Sequence, residues 1–212
     1  MTIALQPSLF ESEAETPAFG GLAGRVRRTP LAHGAWVDHL PAWLGGADQL
    51  FAELVDVVPW KAERRQMYDR VVDVPRLLKF YGEHEQLPHA LLTEARRLLN
   101  DHYEPELGEP FRTSGLCYYR DGRDSVAWHG DRIGRGRSED TMVAILSLGE
   151  SRRLLLRPNG GGAGRTLGFS LGHGDLLVMG GSCQRTWEHA VPKSSRPCGP
   201  RISVQYRPRA VL

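Results

Sequence analysis

The feature that most constrains the fold is a succession of short β-type runs in the second half of the 212-residue chain. They begin after about Gly108 and read GLCYYR, SVAWH, TMVAILSL, RRLLLR, GDLLVM, TWEHAV and PRISVQYR. Glycine-rich breaks separate them, notably at residues 159–162 and 172–175. Several short strands with turn signals between them predict a sandwich or barrel rather than a parallel sheet.

The first half has a helical character instead. Apolar residues recur at helical spacing in GADQLFAELVDVV, which Pro59 ends, and in PHALLTEARRLLNDHY, which begins at Pro88. The polar segment Trp60–Tyr81 between them suits a surface loop or a short hairpin. We therefore predict an α+β, β-rich fold with N-terminal helices packed on one face. Residues 1–30 are predicted to form a flexible arm and residues 31–212 a single domain.

Composition limits the cellular setting more than the function. No apolar run approaches the roughly 18 to 20 residues of a membrane span, and the N-terminus lacks the pattern of a secretory signal. The three cysteines are too few and too scattered for a disulfide framework. We expect a cytoplasmic monomer without a membrane partner. The net charge of +2 says little about partners.

The sharpest chemical pattern is Trp128-His129-Gly130-Asp131. On a strand, His129 and Asp131 would project to the same face, so that both could reach one metal ion. His189, in TWEHAV, supplies a third ligand from a later strand. Two imidazoles and one carboxylate that leave coordination positions open are typical of non-heme Fe(II) enzymes. By itself, however, H-x-D with a distant histidine is a weak signal.

The C-terminal run PRISVQYR adds a second pattern. Arg201, Ser203, Gln205 and Arg207 alternate onto one face of the predicted strand. A buried arginine there would need an anion, and a dicarboxylate cosubstrate would provide one. The alternative is a pair of exposed arginines on an edge strand.

Together these motifs resemble the AlkB family of 2-oxoglutarate oxygenases over roughly residues 110 to 208. DSVAWHGD is similar to the metal-binding strand of the family, and HGDLLVMGGSCQRTWEHAVPK to the run into its second histidine. Tyr119, ten residues before His129, stands where the family has a cosubstrate-binding tyrosine. The terminal R-x-S-x-Q-x-R stands where the family usually has R-x-N-x-T-x-R, and Cys117 where relatives often carry an asparagine.

The resemblance implies a double-stranded β-helix, or jelly roll, that binds Fe(II), 2-oxoglutarate and O2. It implies that His129, Asp131 and His189 bind the metal. It also implies that the cosubstrate contacts lie at Tyr119, Arg201, Ser203 and Arg207. The implied reaction is oxidative demethylation of N-alkylated bases in DNA, of the 1-methyladenine and 3-methylcytosine type. Alkylated DNA is then the expected partner.

The substrate side resembles the family less closely. We expect a lid over approximately residues 59–85, in which Val74-Pro75-Arg76 and Tyr81-Gly82 are similar to the lid of the family. The predicted substrate contacts are Arg76, Tyr81, Tyr68, Arg132 and Arg135. Arg132 and Arg135 could hold phosphates or belong to a solvated loop. We interpret Trp128 and Trp187 as core residues and His173 as a turn residue.

Two alternatives to DNA repair remain at this stage. One keeps the oxygenase chemistry and changes the substrate to RNA, a protein side chain or a small metabolite. The other is a jelly-roll binding module without enzymatic activity.

Overall fold

A computed structural model describes residues 16–67, 70–131, 138–161 and 166–209. The helices are α1 (Asp48–Val57), α2 (Ala90–Leu107) and the single turn α3 (Cys183–Thr186). The strands before α2 are β1 (Ala18–Phe19), β2 (Arg27–Pro30), β3 (Ala35–Leu40), β4 (Leu44–Gly45), β5 (Lys61–Met67) and β6 (Arg70–Tyr81). Those after it are β7 (Thr113–Tyr119), β8 (Val126–His129), β9 (Val143–Gly149), β10 (Arg152–Pro158), β11 (Leu167–Leu171), β12 (Asp175–Gly181), β13 (Trp187–Val191) and β14 (Arg201–Arg207).

The strands form two large antiparallel sheets. The major sheet has the order β2-β3-β12-β9-β14-β7-β6-β5, and the minor sheet has the order β11-β10-β13-β8. A short pair, β1 with β4, stands apart from them. All seven predicted β-type runs are strands, and β11 is an additional one that the prediction missed.

The central strands of the major sheet are buried on both faces, and side chains alternate between these faces with a period of two. In β9, Ala144, Leu146 and Leu148 belong to a cluster shared with α1 and α2, whereas Val143 and Ile145 pack toward the minor sheet. The predicted helical layer on one face is therefore confirmed. In β14 the same alternation turns the apolar residues toward the helices and leaves the face carrying Arg201 and Arg207 between the two sheets.

The two predicted helices are confirmed, with bounds set by local chemistry. His89 caps α2, because its Nδ1 accepts a hydrogen bond from the Leu91 amide at 3.1 Å. Gly108 ends α2 in the left-handed conformation, at φ 79°, which glycine adopts without the usual steric cost. The buried face of α2 consists of Leu92, Ala95, Leu99 and Tyr103.

The segment between the helices is a hairpin, one of the two predicted options, but it is not short. Its second strand, β6, has 12 residues and pairs with β7, so the hairpin extends the major sheet. Leu78 is fully buried against the minor-sheet side. The sequence did not predict this extension, because β5 is rich in polar residues. β5 is an edge strand, where charged residues are common.

The N-terminal segment is paired from residue 18 onward, which differs from the arm predicted to residue 30. β1 pairs with β4, and β2 pairs with β3. Arg28 fastens β2: it makes two hydrogen bonds to Asp38, two to Glu106, and stacks 3.6 Å over the Trp36 ring. Residues 1–15 lie outside the described part of the chain. Among the described residues, no helix is long and apolar enough to cross a bilayer.

Candidate metal centre

Two histidines meet on neighbouring strands of the minor sheet. His189 of β13 lies directly opposite His129, the last residue of β8. Their ring centroids are 4.2 Å apart. His129 Nδ1 lies 2.9 Å from the Ala127 carbonyl, so the hydrogen belongs on Nδ1 and the Nε2 lone pair is free to bind a cation.

Asp131 completes a cluster in which one ligand atom from each residue lies within 4.8 Å of the others. The structure differs from the prediction in one respect, because Asp131 lies beyond the end of β8 rather than on it. Two other residues hold it instead. Its amide donates to Gln184 Oε1 at 3.1 Å, and its Oδ2 accepts from Arg207 Nε at 2.7 Å.

The cluster is charged in the way a divalent cation needs. Burial lowers the pKa of His129 and lowers that of His189 to about 3, so both imidazoles are neutral near pH 7. Burial by itself would raise the pKa of Asp131, but Arg207 and the two histidines outweigh it and lower that pKa to about 2. Two neutral nitrogens and one carboxylate form a donor set that suits Fe(II).

Arg201 forms a cationic wall nearby on β14. It is only 2% exposed, and its Nε donates to Ser147 Oγ at 3.0 Å. Its Nη1 is buried and has no hydrogen-bond partner among the described residues. Burial lowers its pKa, which reflects the cost of removing a charge from water. A carboxylate ligand would accept a hydrogen bond from Nη1 and would balance the buried charge. The site therefore fits a dicarboxylate.

Tyr119 lies against this wall, with its ring 5.4 Å from the Arg201 guanidinium carbon. Burial raises its pKa to about 12, so the hydroxyl stays protonated and can donate to an anion. The Arg152 guanidinium carbon lies 5.7 Å from the same ring, and Arg152 donates to the carbonyls of Asp121, Asp124 and Pro192. Arg152 thus joins the loop after β7 to the end of β13.

The remaining residues of the β14 face form a hydrogen-bonded chain. Arg207 Nη2 donates to Gln205 Oε1 at 2.6 Å, and Gln205 Nε2 lies 3.4 Å from Ser203 Oγ and 3.5 Å from Cys117 Sγ. The side chains of Cys117 and Ser203 are shorter than the amides that the family has at these two positions. The longer Gln205 side chain therefore bridges them. The charge of Arg207 is directed at Asp131.

The predicted substrate residues separate into three groups. Arg76 lies on the site side of β6, where its Nη1 donates to the Ser125 carbonyl and its Nε is buried without a partner among the described residues. Tyr81 lies on the opposite face, 7% exposed in the core against the helices, because its position in β6 differs from that of Arg76 by an odd number. The predicted contact of Tyr81 with a substrate base stays a prediction, although this side chain lies on the face of β6 opposite Arg76. Tyr68, Arg132 and Arg135 lie outside the described residues.

Three further predictions concern residues near the ligands. Trp187 is buried and donates from Nε1 to the Ala32 carbonyl, as expected of a core residue. Trp128 is only half-buried, and the guanidinium carbon of Arg157 lies 4.2 Å from the centroid of the Trp128 ring. The prediction that Trp128 is a core residue is therefore wrong. His173 is a turn residue, and its Nδ1 accepts from the Gly149 amide.

Sequence reasoning missed the supporting roles of Gln184, Ser147 and Arg152. Each role depends on a contact between residues that are distant in sequence, such as the 53 positions between Asp131 and Gln184. No local pattern marks such a pair. Gln184 was noticed only as part of a run similar to the family.

Comparison with known proteins agrees with this geometry. A sequence model described as the 2OG-Fe(II) oxygenase superfamily matches residues 45–207. Alpha-ketoglutarate-dependent dioxygenase alkB homolog 3 of Bos taurus is 33% identical over 182 residues, which covers 76% of this chain and 61% of that protein. DNA oxidative demethylase ALKBH2 of Arabidopsis thaliana is 30% identical over 135 residues, or 53% of this chain and 42% of that protein. The chain thus spans less than two thirds of the length of these curated relatives.

Solved structures support the fold. OsALKBH1 superposes with a TM-score of 0.57 at 14% identity, covering 81% of this chain and 97% of that one. A 2OG-Fe(II) oxygenase family oxidoreductase from Burkholderia pseudomallei gives a TM-score of 0.55 at 15% identity, covering 81% and 84%. The predicted jelly-roll fold is confirmed.

Proposed function

The chain belongs to the 2OG-Fe(II) oxygenase superfamily, and from that premise we propose that it oxidatively demethylates N-alkylated bases in DNA. The observation that carries the oxygenase part is the cluster of His129, Asp131 and His189, together with the buried Arg201, whose Nη1 has no hydrogen-bond partner among the described residues. When bound, Fe(II) and 2-oxoglutarate supply the O2-dependent oxidation of a C–H bond.

The proposed metal ligands are His129 Nε2, a carboxylate oxygen of Asp131 and one ring nitrogen of His189. The two imidazoles are neutral and the carboxylate is charged near pH 7, so no proton has to leave before a cation binds. Three protein ligands leave positions free for a chelating cosubstrate and oxygen.

The proposed cosubstrate contacts are Arg201, Tyr119 and Ser203. The Arg201 guanidinium would pair with the carboxylate of 2-oxoglutarate that faces away from the metal, and the Tyr119 hydroxyl would donate to it. Ser203 and Gln205 would line the wall between Arg201 and Arg207. Arg207 acts on the metal ligand Asp131 instead, since it keeps the Asp131 carboxylate charged and oriented.

The substrate assignment rests on the relatives and on Arg76. The names of the relatives specify DNA oxidative demethylation for ALKBH2. Arg76 lies on the site side of β6, its buried Nε has no partner among the residues that the structure describes, and it could donate to a base or phosphate. A base in a duplex would have to leave the stack to reach this site between the sheets.

The test is formaldehyde release from oligonucleotides that carry 1-methyladenine or 3-methylcytosine, in single- and double-stranded DNA and in RNA. We expect release from methylated DNA only when Fe(II) and 2-oxoglutarate are present. The His189→Ala variant and unmethylated oligonucleotides are the controls. Succinate formation without formaldehyde from any oligonucleotide would move the substrate to a protein side chain or a metabolite. A stronger response to RNA would change the nucleic acid, and no turnover of 2-oxoglutarate would refute the oxygenase proposal.

A further inference from the structure

Asp131 lacks the support that a strand gives to the two histidines. β8 ends at His129, two residues before Asp131. Two contacts hold Asp131 from separate sides. Arg207 binds the carboxylate, and Gln184 Oε1 accepts the main-chain N–H at 3.1 Å. The carboxylate direction therefore depends on the backbone position that Gln184 sets.

Stability alone does not explain the Gln184 side chain. It is 1% exposed, and its Nε2 has no hydrogen-bond partner among the described residues. Burying an amide that makes only part of its hydrogen bonds costs free energy. Methionine has a similar volume and no such cost, so a role limited to filling space would favour it.

We propose that Gln184 is a positioning residue for the metal site, which acts by fixing the main chain of Asp131. The helix α3 that carries Gln184 leads directly into β13, the strand of His189. One short segment therefore places His189 through its own backbone and Asp131 through a side chain. This role rests on the proposed metal site, and contacts of this outer kind typically change metal affinity about 10- to 100-fold.

The experiment is a Co(II) titration of the purified, metal-free full chain, followed by visible absorption, which reports the ligand set without turnover. Gln184→Met removes the acceptor, and Gln184→Asn moves it one methylene away from Asp131. We expect both variants to bind Co(II) about 10- to 100-fold more weakly than the parent. Their Co(II) spectra should shift toward that of Asp131→Ala. The melting temperature of Gln184→Met should stay close to that of the parent, whereas Gln184→Asn loses a buried methylene group and should melt somewhat earlier.

Thr186→Val is the matched control, because Thr186 lies in the same helix and, among the described residues, its hydroxyl contacts only Ser182, the residue before that helix. Its Oγ1 donates to the Ser182 carbonyl and lies 2.9 Å from Ser182 Oγ. We expect this variant to melt earlier but to keep the parent affinity and spectrum. Parent-like Co(II) binding by Gln184→Met and Gln184→Asn would overturn the proposal, as would an equal loss in Thr186→Val. If the parent itself bound no Co(II), the proposed metal site would fall together with this role.

Discussion

Arg207 donates from Nε to Oδ2 of Asp131 at 2.7 Å, and both side chains are about nine-tenths buried. The pair joins β14 of the major sheet to the end of β8 in the minor sheet. Its effect is electrostatic, since burial by itself would raise the pKa of Asp131, whereas Arg207 contributes most to lowering it to about 2. A cation on the major sheet thus keeps the carboxylate of Asp131, just beyond the end of β8, charged for a metal.

The first prediction concerns this pair. In Arg207→Met the pKa of Asp131 should rise, because burial then acts with less opposition. Protons should compete with the metal at mildly acidic pH, and Mn(II) affinity should fall more steeply from neutral to acid pH than in the parent. The histidines do not produce this difference, since their pKa values are already lowered. Arg209→Met, an exposed neighbour, is the control, and parallel pH curves for Arg207→Met and the parent would contradict the prediction.

The second prediction has opposite signs for binding and for stability. Arg201→Met should weaken 2-oxoglutarate binding by about 1.5 to 3 kcal/mol, the range for a hydrogen bond to a charged group. Without cosubstrate, its free energy of unfolding should be no lower than that of the parent, because the substitution removes a buried charge whose Nη1 has no partner among the described residues. Calorimetry with Mn(II) and urea unfolding measure the two quantities. Unchanged 2-oxoglutarate affinity would move the anion site elsewhere, and Arg97→Met, on the exposed face of α2, should change neither quantity.

The third prediction is a metal-dependent melting temperature. A cation at a hundredfold excess over its Kd stabilises a protein by about 2.7 kcal/mol, and chelation should remove this gain. His189→Ala should fold but show no rise with Mn(II). His173→Ala should melt earlier, since it loses the contact with the Gly149 amide, yet still respond to the metal. A metal response retained in His189→Ala would refute the ligand assignment.

The fourth prediction tests the N-terminal strand. Arg28→Ala removes the hydrogen bonds to Asp38, which is 3% exposed and would keep only the Tyr103 hydroxyl as a side-chain partner among the described contacts. We expect the free energy of unfolding to fall by about 1 to 3 kcal/mol, the cost of leaving a buried polar group short of partners. Mn(II) affinity should not change. Arg27→Ala, which changes the exposed neighbouring residue on β2, should keep the urea midpoint of the parent within error. An equally small effect of Arg28→Ala would show that the strand needs no such anchor.

The local patterns of the sequence were sufficient for most elements. Short β-type runs between turn signals predicted seven strands, including β9 and β14, and helical periodicity predicted α1 and α2. The identity and order of the ligand types predicted the metal centre, because imidazole and carboxylate chemistry is a property of the residues themselves. Alternation along β14 also placed Arg201 and Arg207 on one face.

Only the tertiary structure decided which distant residues meet. Asp131 was expected on a strand, but it lies past the end of β8 and depends on Gln184 and Arg207. Tyr81 was expected near the substrate, but the register of β6 on β7 places it on the helix side. Such contacts depend on strand register and on the packing of one sheet over another, and a change of one residue in register reverses every side chain of a strand. The amino-acid pattern therefore determined the chemical groups, and the pairing of the sheets determined their arrangement.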